Sequence, residues 1–241
     1  MVIDRRMAFL AHLAELRKRI IVAAATLAVT FGVSLYFSIP LLRLLMEPAG
    51  KMTMVYLTPL EPFMVKVKVA FFAGLAVALP VILYQILAFA APGLKGKEKR
   101  LIFPAIIAMI ALFAAGVFFG YTYILAVSTK WLLAQAGELM KASVSASAYV
   151  TYAGWFLLAF GISFETPLFL LLMVRMGIIT PQKLRGSWRY ATIIILIISA
   201  VITPDWSPVT MAVMAFPMLF FYILSCLLAG LVAPKKTEEI A

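Results

Sequence analysis

The most informative chemical group in this sequence is a carboxyl inside an apolar segment. Glu165 lies in a run from Tyr149 to Met176 whose only other ionisable side chain is Arg175. Along a helix rising about 1.5 Å per residue, the two side chains would lie about 15 Å apart, which places the carboxyl near the middle of a hydrocarbon layer about 30 Å thick. A carboxylate at that depth is costly unless it is paired, protonated or hydrated. Glu165 therefore indicates a functional site.

The sequence around Glu165 leaves its role open. Pro167 lacks a backbone N–H, so it frees the carbonyl of Ser163 and favours a kink in the helix. A protonated acid bonded to that carbonyl or to a neighbouring helix would be structural, whereas a docking group or a proton carrier would be functional. Gln85, five residues after Pro80 in another apolar run, is a candidate polar neighbour.

The residue types present in the sequence argue against catalysis and against metal binding. His12 is the only histidine and Cys226 the only cysteine, which excludes disulfides and a His/Cys metal site within one chain. Serine proteolysis needs a base near the serine, and aspartyl chemistry needs a second buried acid beside Glu165. We therefore expect no enzymatic activity and no cofactor.

Two acids lie among clusters of bases. Glu15 precedes Arg19 by four residues, and Glu98 lies in the loop 92–100 with four basic residues. An ordinary i,i+4 ion pair and a solvated turn would explain them. Alternatively, both carboxylates could bind a ligand that carries guanidinium groups, which pair with carboxylates in bidentate fashion.

Two further segments are predicted to be ordered loops. Residues 40–68 include four prolines, Pro48 among them, and this composition favours a rigid cap over a flexible linker. Asp205 lies in the short turn 203–206, where a capping role and a specific role are both open.

The elements that position these residues are membrane spans. With 65% hydrophobic residues, 13% charged residues and a mean hydropathy of +1.07, the chain is predicted to be a polytopic membrane protein. An amphipathic helix is expected over 8–20, along the interface. Six apolar segments follow from the hydropathy pattern: 20–39, 69–91, 101–127, 149–176, 191–202 and 209–232. The fifth is only about 18 Å long as a helix.

The distribution of basic residues predicts the orientation. Six spans place both termini on one side, and that side carries 15 of the 21 lysines and arginines. The positive-inside rule therefore puts both termini in the cytoplasm, and it explains the net charge of +11 without any nucleic acid. No repeat of one half in the other is visible, which counts against a small-solute transporter with Glu165 as proton carrier, the second hypothesis.

Several motifs carry a resemblance to a known family. They occur in order as the stretches 12–19, 80–85, 89–94, 98–100, 159–167, 177–181 and 203–205. The sequence from about residue 8 to 230 resembles the TatC subunits of the twin-arginine protein translocase. The resemblance implies an all-α membrane protein with one integral membrane domain over 1–241, in which six helices form a glove-like concave bundle with short fifth and sixth helices.

The resemblance also implies a function and its residues. It implies a receptor in the prokaryotic cytoplasmic (inner) membrane that recognises twin-arginine signal peptides of folded cargo proteins. Transport is driven by the proton motive force with single-span TatA/TatB-type partner subunits, among membrane lipids. The implied positions are Glu15, Arg17 and Glu98 for the signal peptide, Glu165 and Gln85 in the groove, and Pro48, Phe89, Pro167 and Asp205 as structural or outer-face residues.

Two positions depart from the family pattern. Lys97 stands where the family commonly has a histidine, and Leu87 where it has an aromatic residue. The added charge of Lys97 weakens the case for an arginine site at Glu98 more than at Glu15.

Overall fold

A computed structural model describes residues 2–50, 54–90, 102–135, 143–202 and 207–232. The helices are α1 (Val2–Tyr36), α2 (Ser38–Met46), α3 (Glu61–Ala90), α4 (Ile102–Phe119), α5 (Ala126–Ala134), α6 (Ala146–Arg175), α7 (Pro181–Gly186), α8 (Trp188–Ile202) and α9 (Pro208–Val232). A 3-10 turn follows α2 at Glu47–Ala49, and a π-helical turn at Gly120–Leu125 joins α4 to α5. Two short strands, β1 (Met54–Val55) and β2 (Val144–Ser145), pair in parallel.

Five helical stretches are long and apolar enough to cross a membrane. They are His12–Tyr36, Glu61–Ile86, Pro104–Ala134, Ala146–Arg175 and Pro208–Val232. Only 6% of the span in α1, and 44% of the span in α6, is buried inside the chain. The remaining apolar surface is suited to lipid or to other membrane proteins. The predicted all-α membrane fold class is confirmed, and the predicted short fifth segment is the 15-residue helix α8.

The helices extend beyond the segments that hydropathy delimited. The predicted amphipathic helix 8–20 and the first span form one uninterrupted helix, α1, which ends at Tyr36 instead of residue 39. Helix α3 begins at Glu61 instead of residue 69, because an acid and a proline are both favoured in the first turn of a helix. The two-residue strand pair is a further departure from the prediction, which contained helices only.

The chain divides into two compact units, the first comprising Met1–Ile102 and Glu138–Gly154. Within it, α1 and α3 lie antiparallel, since the His12 ring stacks on Phe89 and Arg19 bonds to Gln85. Further along the pair, a Cβ on Gly74 would lie 2.8 Å from the Phe31 Cα. Only glycine permits this close approach of the two backbones.

The second unit comprises Phe103–Gly137 and Trp155–Ala241. One cluster of buried apolar side chains in it comprises Val174, Leu184, Ile195, Ala215, Met218, Tyr222 and Ala229. Two hydrogen bonds fix the short helix α7 to α9. The Tyr222 hydroxyl donates to the Leu184 carbonyl at 2.6 Å, and Arg185 Nε donates to the Cys226 carbonyl at 3.0 Å.

Candidate functional site

A polar cluster joins α1 to the last turns of α3. Arg19 donates to Glu15 Oε1 from Nε at 3.2 Å and from Nη2 at 2.5 Å. Its third nitrogen, Nη1, donates to Gln85 Oε1 at 3.2 Å. The predicted i,i+4 pair therefore exists, and it is extended by a bond to a residue 66 positions away. The side chain of Glu15 is 39% exposed and that of Arg19 is 23% exposed.

Two other predicted residues lie on the same pair of helices. Arg17 is exposed on α1, and Phe89 stacks on His12 with ring centroids 4.3 Å apart and an interplanar angle of 17°. This stack holds the start of the span in α1 against the end of α3, so Phe89 supports the surface that carries Glu15. Glu98 lies outside the described residues.

An apolar groove borders the polar cluster. It has a volume of about 350 Å³ and lies between α1 and α3. Arg19 and Gln85 line one part of it, and aliphatic side chains such as Ile20 and Ile82 line the rest. Arg19 therefore has space beside it on the α3 side.

Glu165 is buried in the second unit, as its position in an apolar run predicts. Its side chain is 6% exposed, its Oε1 has no hydrogen-bond partner among the described residues, and the backbone of Phe113 approaches the carboxyl. Glycines let α4 and α6 approach closely at this level. A Cβ on Gly116 would lie 2.7 Å from the Phe160 carbonyl oxygen, and a Cβ on Gly161 would overlap the Phe113 ring.

Gln85 has a described partner within the first unit. Its Oε1 accepts the bond from Arg19, because Gln85 is five residues from the end of α3 at Ala90 and so lies opposite Arg19. The grouping of Gln85 with Glu165 stays a prediction. Pro167 is buried inside α6, which continues through it to Arg175.

The residue before Glu165 faces an open apolar groove. Phe164 packs edge-on against Phe221 with centroids 4.5 Å apart, and both line a groove of about 780 Å³ formed with the α4 end and α9. Phe119 and Ile124 also line it. They are five residues apart, so the π-helical turn between them brings both to one face.

A second carboxylate orders the opposite end of the first unit. Glu61, buried at the start of α3, accepts hydrogen bonds from the Leu57 amide at 2.6 Å, from the Ser147 amide at 3.1 Å and from the Ser145 hydroxyl. Sequence analysis missed this residue, although the pair Glu61-Pro62, an acid and a proline of the kind favoured in the first turn of a helix, was a signal. Glu61 thereby holds the strand pair against the start of α6.

Other contacts complete this end of the molecule. Lys68 Nζ donates to Ser147 Oγ at 2.6 Å and to Thr151 Oγ1 at 2.9 Å, which ties α3 to α6. Pro48 is half-buried in the 3-10 turn after α2, and the Tyr149 hydroxyl donates to the Leu45 carbonyl nearby at 3.0 Å. Asp205 lies outside the described residues.

The chemistry available to these sites is binding. In the described part of the chain, no group of three or more His, Cys, Asp or Glu residues could hold a metal ion. The cluster at Glu15 can exchange one guanidinium for another, and Glu165 can bond to a polar group that enters its apolar surroundings.

Comparisons with known proteins place this geometry in a family. The sequence profile described as "Sec-independent protein translocase protein (TatC)" matches residues 11–217. A protein of that name from Carboxydothermus hydrogenoformans is 32% identical over 97% of both chains. Another, from Helicobacter pylori, is 34% identical over 95% of this chain and 90% of the relative.

A solved structure agrees with the sequence relatives. It is described as the crystal structure of the twin arginine translocase receptor TatC, and it superposes with a TM-score of 0.81 at 32% identity. The match covers 92% of this chain and 99% of that one. At this identity and coverage the likeness extends through the helices that carry both Glu15 and Glu165, and the chain belongs to the TatC family of Sec-independent protein translocase proteins.

Proposed function

We propose that this chain is the receptor subunit of a twin-arginine translocase, which recognises twin-arginine signal peptides and organises partner subunits for transport of folded proteins. The observation that carries the proposal is the match to a twin arginine translocase receptor over 92% of the chain. The role is in protein transport, and catalysis has no part in it.

The proposed signal-peptide site lies on the end of the first unit that carries Glu15. Glu15 and Arg17 contact the peptide there, and Glu98, which lies outside the described residues, is proposed as a third contact. The Glu15 carboxylate supports this role because it already accepts two bonds from a guanidinium and remains 39% exposed. Phe89 supports the site through its stack on His12.

The proposed location is the prokaryotic cytoplasmic (inner) membrane, with this site facing the cytoplasm. The asymmetry of 15 among 21 basic residues supports the orientation. The five long apolar helices support integration into lipid. Nucleic acid is not a proposed partner, because the membrane orientation accounts for the basic residues.

Glu165 is proposed as a polar docking point inside the membrane. A buried carboxyl oxygen without a described partner favours binding of a polar group from an entering helix. The neighbouring groove at Phe164 supports contact with single-span subunits of the TatA/TatB type, which multimerise for transport driven by the proton motive force. Pro48, Pro167 and Asp205 are proposed to keep the scaffold and its outer face in place.

Site-specific crosslinking tests the recognition step. A photoreactive probe is placed at position 98, and signal peptides with two arginines or two lysines are offered to the intact protein in membrane vesicles. We expect crosslinks to the twin-arginine peptide alone. A probe at Tyr56, which is 70% exposed at the opposite end of the first unit, is the matched control and should capture neither peptide. Equal capture of both peptides at position 98 would exclude specific recognition of arginine.

A further inference from the structure

The groove between α1 and α3, called the α1–α3 groove below, combines a polar end with long apolar walls. Its lining residues on α1 run from Leu16 to Leu27 and include Ile20, and two of the others, Arg19 and Gln85, are polar. A helix segment from residue 16 to 27 rises about 16 Å, which matches half of a hydrocarbon core about 30 Å thick. The groove therefore has the length of one leaflet, and its polar end lies toward the basic start of the span.

The polar end of the groove presents hydrogen-bond donors. A guanidinium has five N–H groups, and three of those of Arg19 bond to Glu15 and Gln85. Gln85 accepts from Arg19 through Oε1, so its amide nitrogen supplies two more donors. This orientation of the amide follows from chemistry, because a guanidinium can only donate. Among the described residues, neither the two remaining N–H groups of Arg19 nor the Gln85 amide nitrogen has an acceptor. A ligand that fits this end is therefore rich in acceptor oxygens.

The charge beside the groove favours an anion. The stretch 15–19 contains one acid and three bases, and Glu15 is paired with Arg19. Arg17 and Lys18 are exposed in the same turns of α1. Basic residues at the cytoplasmic end of a span attract anionic lipid head groups, and guanidinium groups bind phosphate oxygens through charge-assisted hydrogen bonds.

We propose that the α1–α3 groove binds one phospholipid of the cytoplasmic leaflet, with its phosphate at Arg19 and Gln85 and one acyl chain along the apolar walls. A helix is too thick for this groove. A helix about 10 Å in diameter and about 16 Å long occupies about 1,300 Å³, whereas the groove has a volume of about 350 Å³. An apolar helix also bonds its carbonyls internally, so it offers no acceptor to the polar end. A phospholipid supplies both a thin apolar chain and acceptor oxygens.

Lipid titration of the purified full chain tests the polar end. Protein in detergent micelles is titrated with phosphatidylglycerol, and native mass spectrometry gives the Kd of the first bound lipid. Gln85→Glu keeps an acceptor for Arg19 but replaces the amide donors with a negative charge. We expect its Kd to rise by about tenfold or more, as for the loss of a hydrogen bond to a charged group. An unchanged Kd would overturn the phosphate site.

Ala24→Phe and Ala25→Phe test the acyl-chain position as a matched pair. Both alanines are exposed on α1, but only Ala24 lines the groove. The two substitutions change helix propensity equally. We expect Ala24→Phe to fill the groove and raise the Kd by about tenfold or more, and Ala25→Phe to leave it within about twofold. Equal Kd values for the two variants would overturn lipid binding in the groove.

Competition distinguishes a phospholipid from other occupants of the groove. We expect that neither inorganic phosphate nor a twin-arginine signal peptide displaces the bound phosphatidylglycerol from the unaltered chain. Displacement by inorganic phosphate would assign the polar end to a free anion, and displacement by the peptide would assign the groove to a peptide segment. Either result would overturn the phospholipid site.

Discussion

The close approach of α4 and α6 beside Glu165 depends on Gly116, and Gly116→Ala tests it. A Cβ there would lie 2.7 Å from the Phe160 carbonyl oxygen and 2.9 Å from the Phe164 ring. Ordinary C···O contacts lie at about 3.3 Å or more, so the helices would have to separate by about 0.6 Å. The obstructing oxygen is backbone and cannot rotate away. Such overpacking costs about 1–3 kcal/mol.

Gly32→Ala is the matched control because a Cβ at Gly32 meets nothing within 4 Å. Both substitutions gain the same helix propensity, about 1 kcal/mol, so their difference isolates the contact at Gly116. We expect Gly116→Ala to unfold more easily than Gly32→Ala by about 1–3 kcal/mol, as measured by denaturant unfolding of purified protein in detergent micelles followed by tryptophan fluorescence. Equal stabilities within about 0.5 kcal/mol would refute the close packing of α4 on α6.

Three other predictions concern polar side chains that are buried or half-buried in the fold. Glu165→Gln should preserve folding, since an amide satisfies similar hydrogen bonds, whereas Glu165→Ala should impair export of a twin-arginine reporter; full export by the alanine variant would exclude the docking role. Glu61→Ala should expose residues 54–60 to limited proteolysis because the Leu57 amide loses its acceptor, and resistance equal to the unaltered chain would contradict this. Thr151→Val should lower the melting temperature by removing an acceptor from the Lys68 ammonium, and adding Lys68→Met should restore it; additive losses in the double variant would contradict that explanation.

Hydropathy predicted the fold class because each long apolar segment must bury its backbone polar groups within a helix. It could not set the helix ends. The charged side chains Lys66 and Lys68 ended the apolar segment, yet α3 continues back to Glu61, because long basic side chains reach polar partners from within a helix. Hydropathy marks the residues that are apolar, whereas the helix also includes polar residues at its ends.

Contacts in the candidate site could be predicted only where they join residues that are close in the sequence. The Glu15–Arg19 pair follows from a spacing of four on one helix. Its extension to Gln85 joins residues 66 positions apart, and the Glu61–Ser145 bond joins residues 84 apart. Such contacts depend on which helices become neighbours and in what register. The sequence offered Gln85 as a candidate polar neighbour of Glu165, and its bond to Arg19 became visible only with the antiparallel pairing of α1 and α3.

Genetic complementation tests the receptor role most directly. This chain is expressed with its own single-span partner subunits in a strain whose receptor is deleted, and export of a folded reporter with a twin-arginine leader is measured. A twin-lysine leader on the same reporter is the control. The receptor role predicts export of the twin-arginine reporter and retention of the twin-lysine one. Retention of both reporters by a strain that contains the membrane-inserted chain, or equal export of both, would contradict it.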